Sequence, residues 1–269
     1  MLERTADLKQ TGGPTGSVRL YWLGQAGFAF RLATGRRILL DPYLSDACER
    51  LFGFKRLSLP ALRAEEVEAD WVILTHEHAD HLDPDAIPVI ARNNPGCRFA
   101  GPVGCVPGLE EAGVPAARRV VLEPNRRHDL GDLLVHTVPA DHGDISASAL
   151  ALVLEFGGVR VLATGDTSWR PVLFKPLYDL NPDVVLPAIN GVFGNMNHVD
   201  AARLVAEAKP RIAIPCHFWT LAEQGAGDPA GFVHTCASMC PQVKAMLLRP
   251  GEGLTLEAVS GELGGIRKP

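Results

Sequence analysis

Six consecutive positions, His76-Glu77-His78-Ala79-Asp80-His81, hold three imidazoles and two carboxylates. A single histidine at the end of a strand is ordinarily solvated or hydrogen-bonded and calls for no ligand. Crowding five titratable groups is different: burying charge without a partner is expensive, and neutral imidazoles beside carboxylates are the donors that zinc, manganese and iron accept. In extended backbone, side chains two apart point the same way, so His76, His78 and Asp80 would share one face. His81 breaks that alternation. A turn after it would swing Asp80 and His81 toward a second centre while His76 and His78 hold a first.

The flanks show what must position these groups. Asp70-Trp71-Val72-Ile73-Leu74 is a short apolar run bounded by a charge, which predicts a buried strand ending where the cluster begins. After the cluster, Asp83 suits a helix N-cap, Pro84 the first helical position and Asp85 the positive end of the dipole, so a helix is expected to about Arg92. Ahead of it, residues 18–23, 28–32 and 37–41 read as a three-stranded meander turned by Gly24, Gly27 and Gly35. Residues 1–16 are expected to be a loose lead-in. Residues 45–69 leave two readings open: Leu51, Phe52 and Phe54 cap the site, or they pack down. Later strands are expected at 97–100, 119–122, 133–138, 182–187, 211–215, 243–248 and 254–258, with a hairpin of 149–156 and 159–163 across Gly157-Gly158. Helices are expected at 102–112, 169–178, 199–208 and 229–238. Three strand ends carry further donors: Asp141-His142, Gly165-Asp166 and Cys216-His217.

The chain has 269 residues, 46% of them apolar, enough for a large core, and no composition boundary divides it, so one domain over 1–269 is expected. A net charge of −5 with no run of lysine or arginine argues against nucleic acid as a partner and gives no reason for membrane insertion. The six cysteines lack a small-domain disulfide spacing and no secretory segment is read ahead of them, which points to reduced thiols in a cytoplasm. Whether the chain forms a homo-oligomer is left open.

The pattern His76-x-His78-x-Asp80-His81 after an apolar strand resembles the hallmark of the metallo-β-lactamase-fold hydrolases. Trp22-Leu23-Gly24-Gln25-Ala26-Gly27, Leu40-Asp41-Pro42, Asp141-His142, Thr164-Gly165-Asp166-Thr167 and Ile214-Pro215-Cys216-His217 extend the likeness over nearly the whole chain. Within that superfamily the chain is most similar to the branch of the L-ascorbate-6-phosphate lactonases, with N-acylphosphatidylethanolamine phospholipase D as a more distant cousin. The resemblance implies an α+β fold, the four-layer αβ/βα sandwich. It also implies two divalent ions, zinc or manganese with iron admitted. His76, His78 and His142 would hold one ion, Asp80, His81 and His217 the other, and Asp166 would bridge them; Asp141 and Asp144 are alternative donors. Asp41 is expected to orient a ligand histidine.

Two ions about 3.5–4 Å apart lower the pKa of a bridging water and clamp an attacked oxygen, which favours hydrolysis at carbon or phosphorus. Asp80 is the expected proton acceptor. The lactonase likeness points to a lactone or carboxylic ester of a small, polar, phosphorylated sugar-acid type of substrate. Asn190, Asn197, Arg170 and Trp219 are the candidate substrate contacts. A phosphodiesterase is the competing enzyme, favoured by an apolar entrance around Phe193, Phe218 and Trp219. A metal-stabilised binding module without turnover is the alternative of another class, and the full donor set argues against it.

Overall fold

The computed structural model describes residues 3–4, 16–223 and 227–258. In chain order its strands are β1 (Glu3–Arg4), β2 (Ser17–Gly24), β3 (Gly27–Leu32), β4 (Arg37–Leu40), β5 (Trp71–Ile73), β6 (Arg98–Gly101), β7 (Arg119–Val121), β8 (Arg127–Asp129), β9 (Leu134–Pro139), β10 (Leu150–Phe156), β11 (Val159–Ala163), β12 (Val184–Leu186), β13 (Ile212–Ala213), β14 (Lys244–Ala245) and β15 (Glu252–Glu257). The helices are α1 (Ala47–Phe52), α2 (Ala86–Asn93), α3 (Cys105–Glu111), α4 (Pro171–Tyr178), α5 (His198–Ala208) and α6 (Pro229–Met239).

Two mixed sheets result. One runs β1-β15-β2-β3-β4-β5-β6-β7, the other β14-β13-β12-β11-β10-β9-β8. In the first, β4 to β7 are parallel and the rest antiparallel; in the second, β11 to β14 are parallel and β8 to β11 antiparallel. The apolar runs of the meander follow from burial on both faces, as in sheets with a layer on either side. Leu20, Trp22, Phe30, Ile38, Leu40 and Ile73 face the cluster shared with the second sheet, where Phe30 meets Phe156 with ring centroids 5.1 Å apart. The alternate residues Tyr21, Leu23, Leu39, Val72 and Leu74 pack instead with Ile87 and Ile90 of α2 and Leu109 of α3. Helices α4, α5 and α6 join the core through Phe174, Leu204, Val205 and Phe232. Helix, sheet, sheet, helix is the four-layer sandwich that the resemblance implies.

Several local expectations shift. Strand β8, which pairs with β9, lies where the sequence carries only Arg127-His128-Asp129, too polar and too short to signal a strand. Strands β13 and β14 have two residues each, shorter than the expected 211–215 and 243–248. At the start, Glu3 and Arg4 pair with Gly253 and Glu252, while residues 5–15 of the expected lead-in lie outside the described residues. The parallel strands β4, β5, β11, β12 and β13 end toward one edge of the sandwich. The segments leaving them carry Asp41, His76, Asp166, Asn190 and His217 in that order.

Candidate metal centre

At the end of β5 the chain does not stay extended. The amides of His81 and Leu82 both donate to the His78 carbonyl, at 2.9 and 2.8 Å, so residues 78–82 form a turn. The shared face expected of His76, His78 and Asp80 is replaced by this turn, which parts Asp80 and His81 from His78 while the His81 ring stays beside that of His76, centroids 4.0 Å apart. Asp83 then anchors the exit. Helix α2 begins at Ala86 with Asp85 as its N-cap, two residues later than expected, yet Asp83 still braces its start: Oδ1 accepts from the amides of Asp85 and Ala86, and Oδ2 accepts from Leu44 and Ser45. One buried carboxylate thus starts α2 and ties down the segment leading to α1.

Around this turn the other strand ends supply His142, Asp166 and His217. Three groups of donors lie within 4.8 Å of one another: His76, His78 and His142; His76, His81 and Asp166; Asp80, His81 and His217. His76 Nε2 and His142 Nε2 stand 3.0 and 3.3 Å from His78 Nδ1. His217 Nε2 is 3.2 Å from both Asp80 Oδ2 and Asp166 Oδ2.

Neighbouring hydrogen bonds decide which nitrogen of each ring faces the cluster. His78 Nε2 lies 2.9 Å from the Ile145 carbonyl, which can only accept, so the neutral ring carries its lone pair on Nδ1. Thr75 Oγ1 donates to Asp41 Oδ2 at 2.6 Å and therefore offers a lone pair to His76 Nδ1, 3.1 Å away. That leaves the lone pair of His76 on Nε2, facing the lone pair of His78. Such an arrangement is repulsive unless a proton or a cation stands between them. His81 repeats it: Nδ1 donates to Asp41 Oδ2 at 2.9 Å, while Nε2 lies 3.3 Å from Asp166 Oδ1 without a hydrogen bond between them. The donors present, imidazole and carboxylate with their lone pairs converging, fit divalent metal.

Charges in the protein alone say the same. Burial, with His81 nearby, pushes His76 well below the usual imidazole range. Burial would also lower His81 and His217, but Asp166 overrides it, with Asp41 and Asp80 beside His81 and Asp80 beside His217; His81 is lifted well above that range and His217 to about 9. Asp80 and Asp166, which burial would raise, are held well below the usual carboxylate range by His81 and His217. Buried carboxylates are thus balanced by protons on imidazoles, the places a cation would take.

Two residues here were not singled out in the sequence. Gln25, in the turn between β2 and β3 with φ of 50°, donates Nε2 to Asp80 Oδ2 at 2.7 Å, and its carbonyl accepts the His217 amide. Asn195 donates Nδ2 to Asp166 Oδ2 at 2.7 Å. The signal for Gln25 was a polar side chain between glycines beside buried strands; for Asn195 it was one asparagine among three in a loop.

The proposed substrate contacts are placed otherwise. Asn197 caps α5, accepting from the amides of Val199 and Asp200. Arg170 is exposed and paired with Asp141, whose Oδ2 also accepts from Ser168. Asp144 is exposed in the short turn after His142. Trp219 is 60% exposed, Phe218 is buried against Trp22, and Asn190 is buried with no partner for either amide atom. None of them lines the cavity of about 230 Å³ above the histidines. Its floor is His78, Asp80, His142, Asp166 and His217, and its walls are Cys48, Phe52, Phe54, Ala79, Ile145 and Phe193. Residues 45–69 therefore do both things left open above: Ala47 and Cys48 pack into a small apolar cluster with Tyr43 and Leu221, while Phe52 and Phe54 reach the cavity.

A beta-lactamase superfamily domain matches residues 36–218, which contain every one of these donors. A UPF0173 metal-dependent hydrolase of Aeropyrum pernix is 32% identical over 251 residues, 87% of this chain and 96% of that protein. Among solved structures, the metallo hydrolase Igni18 of Ignicoccus hospitalis superposes with a TM-score of 0.73 at 22% identity, covering 90% of this chain and 99% of that one. An isothiocyanate hydrolase from Delia radicum gut bacteria superposes with a TM-score of 0.73 at 19% identity, covering 89% and 99%. With that domain over two thirds of its length and that kinship along nearly all of it, the chain belongs to the beta-lactamase superfamily, among its UPF0173 metal-dependent hydrolases.

Proposed function

We propose that the chain hydrolyses a carboxylic ester or lactone of a small molecule, using two divalent ions, zinc or manganese with iron admitted. His76, His78 and His142 would hold one ion and Asp80, His81 and His217 the other, with Asp166 between. The observation that carries this reading is the convergence of imidazole and carboxylate lone pairs at the floor of one cavity. Divalent ions there supply Lewis acidity and lower the pKa of bound water.

The chain's own residues do the rest. Asp80, its Oδ2 held by Gln25, is the group to orient the attacking water, take its proton in passing and hand it on to the departing alkoxide. In the net reaction water adds at the acyl carbon, the acyl C–O bond breaks, and the departing alkoxide takes up a proton. Asn195 fixes Asp166, and Asp41 fixes His81, so neither set of donors has to reorganise.

The phosphorylated sugar acid of the lactonase branch finds no lysine or arginine in the cavity lining, so the proposal keeps the bond class and leaves out the phosphate. The apolar mouth at Phe193 keeps a phosphodiesterase as the second reading. A cytoplasmic location is supported by six unpaired cysteines, and no helix among the described residues is long and apolar enough to cross a membrane.

The test is metal content per chain after purification without chelator, together with turnover of lactones, esters and bis(p-nitrophenyl) phosphate. Near two ions, with lactone or ester turnover reduced by at least about a hundredfold in His78→Ala, is expected. Phosphodiester turnover alone would promote the second reading. Failure to bind added zinc or manganese would overturn both.

A further inference from the structure

The walls of the cavity differ from its floor. Below are ionisable groups; above, every wall side chain is apolar or a buried thiol. Phe52 and Phe54 come from α1 and the residues after it, Phe193 from the loop between β12 and α5. Their rings make a continuous line, with centroids 5.9 Å apart from Phe52 to Phe54 and 6.2 Å from Phe54 to Phe193. Two of the three lie largely outside the core, Phe52 being 59% and Phe193 51% exposed, and Ile145 of the same lining is 53% exposed; Phe54 is half-buried against the cluster of Tyr43, Ala47, Cys48 and Leu221.

Backbone strain is accepted to place one of them. Phe193 has φ of 54°, a left-handed conformation rare for a bulky residue. Gly191 and Gly194, on either side, have φ of 71° and 80°. The same loop carries Asn195, whose amide holds Asp166. The loop thus sets an aromatic ring and a floor carboxylate against one another in a single turn.

Among the described residues, no lysine or arginine lines the cavity. Arg170 is engaged by Asp141, and the Arg56 guanidinium bonds the carbonyls of Tyr43 and Ser45. Against the walls, a phosphate, a carboxylate or several hydroxyls would lose hydration and receive no hydrogen bond from them in return. An aryl or short alkyl group would lose nothing.

We propose that the substrate is a compact, uncharged ester or lactone bearing one aryl or short alkyl group, which seats against Phe54 and Phe193 while the acyl carbon faces the floor. This rests on the cavity being the active site of the hydrolase proposed above. Phe54 and Phe193 are then the residues that set specificity, and the volume of about 230 Å³ suits a compact group seated against them.

The test compares dihydrocoumarin, an uncharged aryl lactone, with glucono-δ-lactone and its 6-phosphate on the metal-loaded chain, each rate divided by its uncatalysed rate. Dihydrocoumarin is expected to lead by about thirtyfold or more in kcat/KM, the discrimination an apolar pocket of this kind can reach. Phe193→Ala should raise KM for dihydrocoumarin about tenfold with kcat little changed, and should cost this substrate several times more than it costs glucono-δ-lactone. A second measurement separates the proposal from the hydrolase reading: calorimetric binding of phenylacetamide, a neutral aryl amide, to the wild type and to the Phe54→Ala, Phe193→Ala double variant. Binding that the double variant loses, without turnover of any lactone or ester, would keep Phe54 and Phe193 as the site of an uncharged aryl group and sink the hydrolase reading, and with it the assignment of that ligand as a substrate. Preference for the phosphorylated lactone, or equal losses on all three substrates in Phe193→Ala, would overturn the specificity proposal and leave the hydrolase reading standing. Neither turnover nor binding would overturn both.

Discussion

Gln25 shows how much one neutral side chain can do at such a site. Its amide nitrogen sits 2.7 Å from Asp80 Oδ2 and 3.2 Å from His217 Nε2, so it orients a carboxylate without adding charge to a place already dense with it. A carboxylate there would repel Asp80 and Asp166; a lysine would compete with metal. Gln25→Leu keeps the volume and removes the donor. We expect metal affinity or kcat/KM to fall by about ten- to a hundredfold, the usual effect of losing a group that orients a ligand. Metal titration beside steady-state kinetics would show it, and unchanged values would mean that Asp80 needs no support. Arg170→Ala is the contrast. Because its guanidinium is spent on Asp141 at the surface, kcat/KM should change by less than about threefold, as for ordinary exposed ion pairs. A larger loss would restore Arg170 as a substrate contact.

At the scale of elements, the turn from β2 to β3 is pressed against the end of β4. A Cβ at Gly27 would lie 2.9 Å from the Asp41 carbonyl oxygen and 3.0 Å from that of Gly24, both backbone atoms that cannot swing aside. Asp41 in turn holds Thr75 and His81. Gly27→Ala should therefore destabilise by about 1–3 kcal/mol, as overpacking does, and also weaken metal binding, because Asp41 must move. Gly96→Ala, at a turn where nothing lies within 4 Å of the added carbon, should leave both unchanged. Differential scanning calorimetry and metal titration of the two variants decide it; equal behaviour would disconnect the turn from the site.

For the whole molecule, the donors lie between two sheets whose core is apolar and continuous, so the fold should persist without metal while losing the stability that binding adds. A ligand present at a hundred times its Kd stabilises by about 2.7 kcal/mol. For a chain of this size that is a drop in Tm of roughly 5–10 °C on chelation, with the far-ultraviolet circular dichroism kept and Tm restored by zinc or manganese. Collapse of the circular dichroism at 25 °C would show that metal is needed to fold the sandwich; no change in Tm would show that the folded chain gains nothing from the ions.

The sequence by itself carried the candidate donors and most of the elements that present them. The apolar run before His76, the turn residues after His81 and the strand ends before His142, Asp166 and His217 are local signals, set by side-chain period and backbone preference over a few positions. The layering was legible too, through the resemblance those motifs carry. Only the tertiary structure decided which neutral groups orient the donors and what lines the approach to them. Gln25 and His217 stand 192 positions apart, and Asn195 and Asp166 29 apart; no local pattern distinguishes Asn195, which reaches Asp166, from Asn197, which caps a helix. The walls follow the same rule. Phe54 and Phe193 meet because two loops from distant strands close over one edge of the sandwich, and that meeting, with no lysine or arginine in the lining among the described residues, is what the proposal of an apolar substrate rests on.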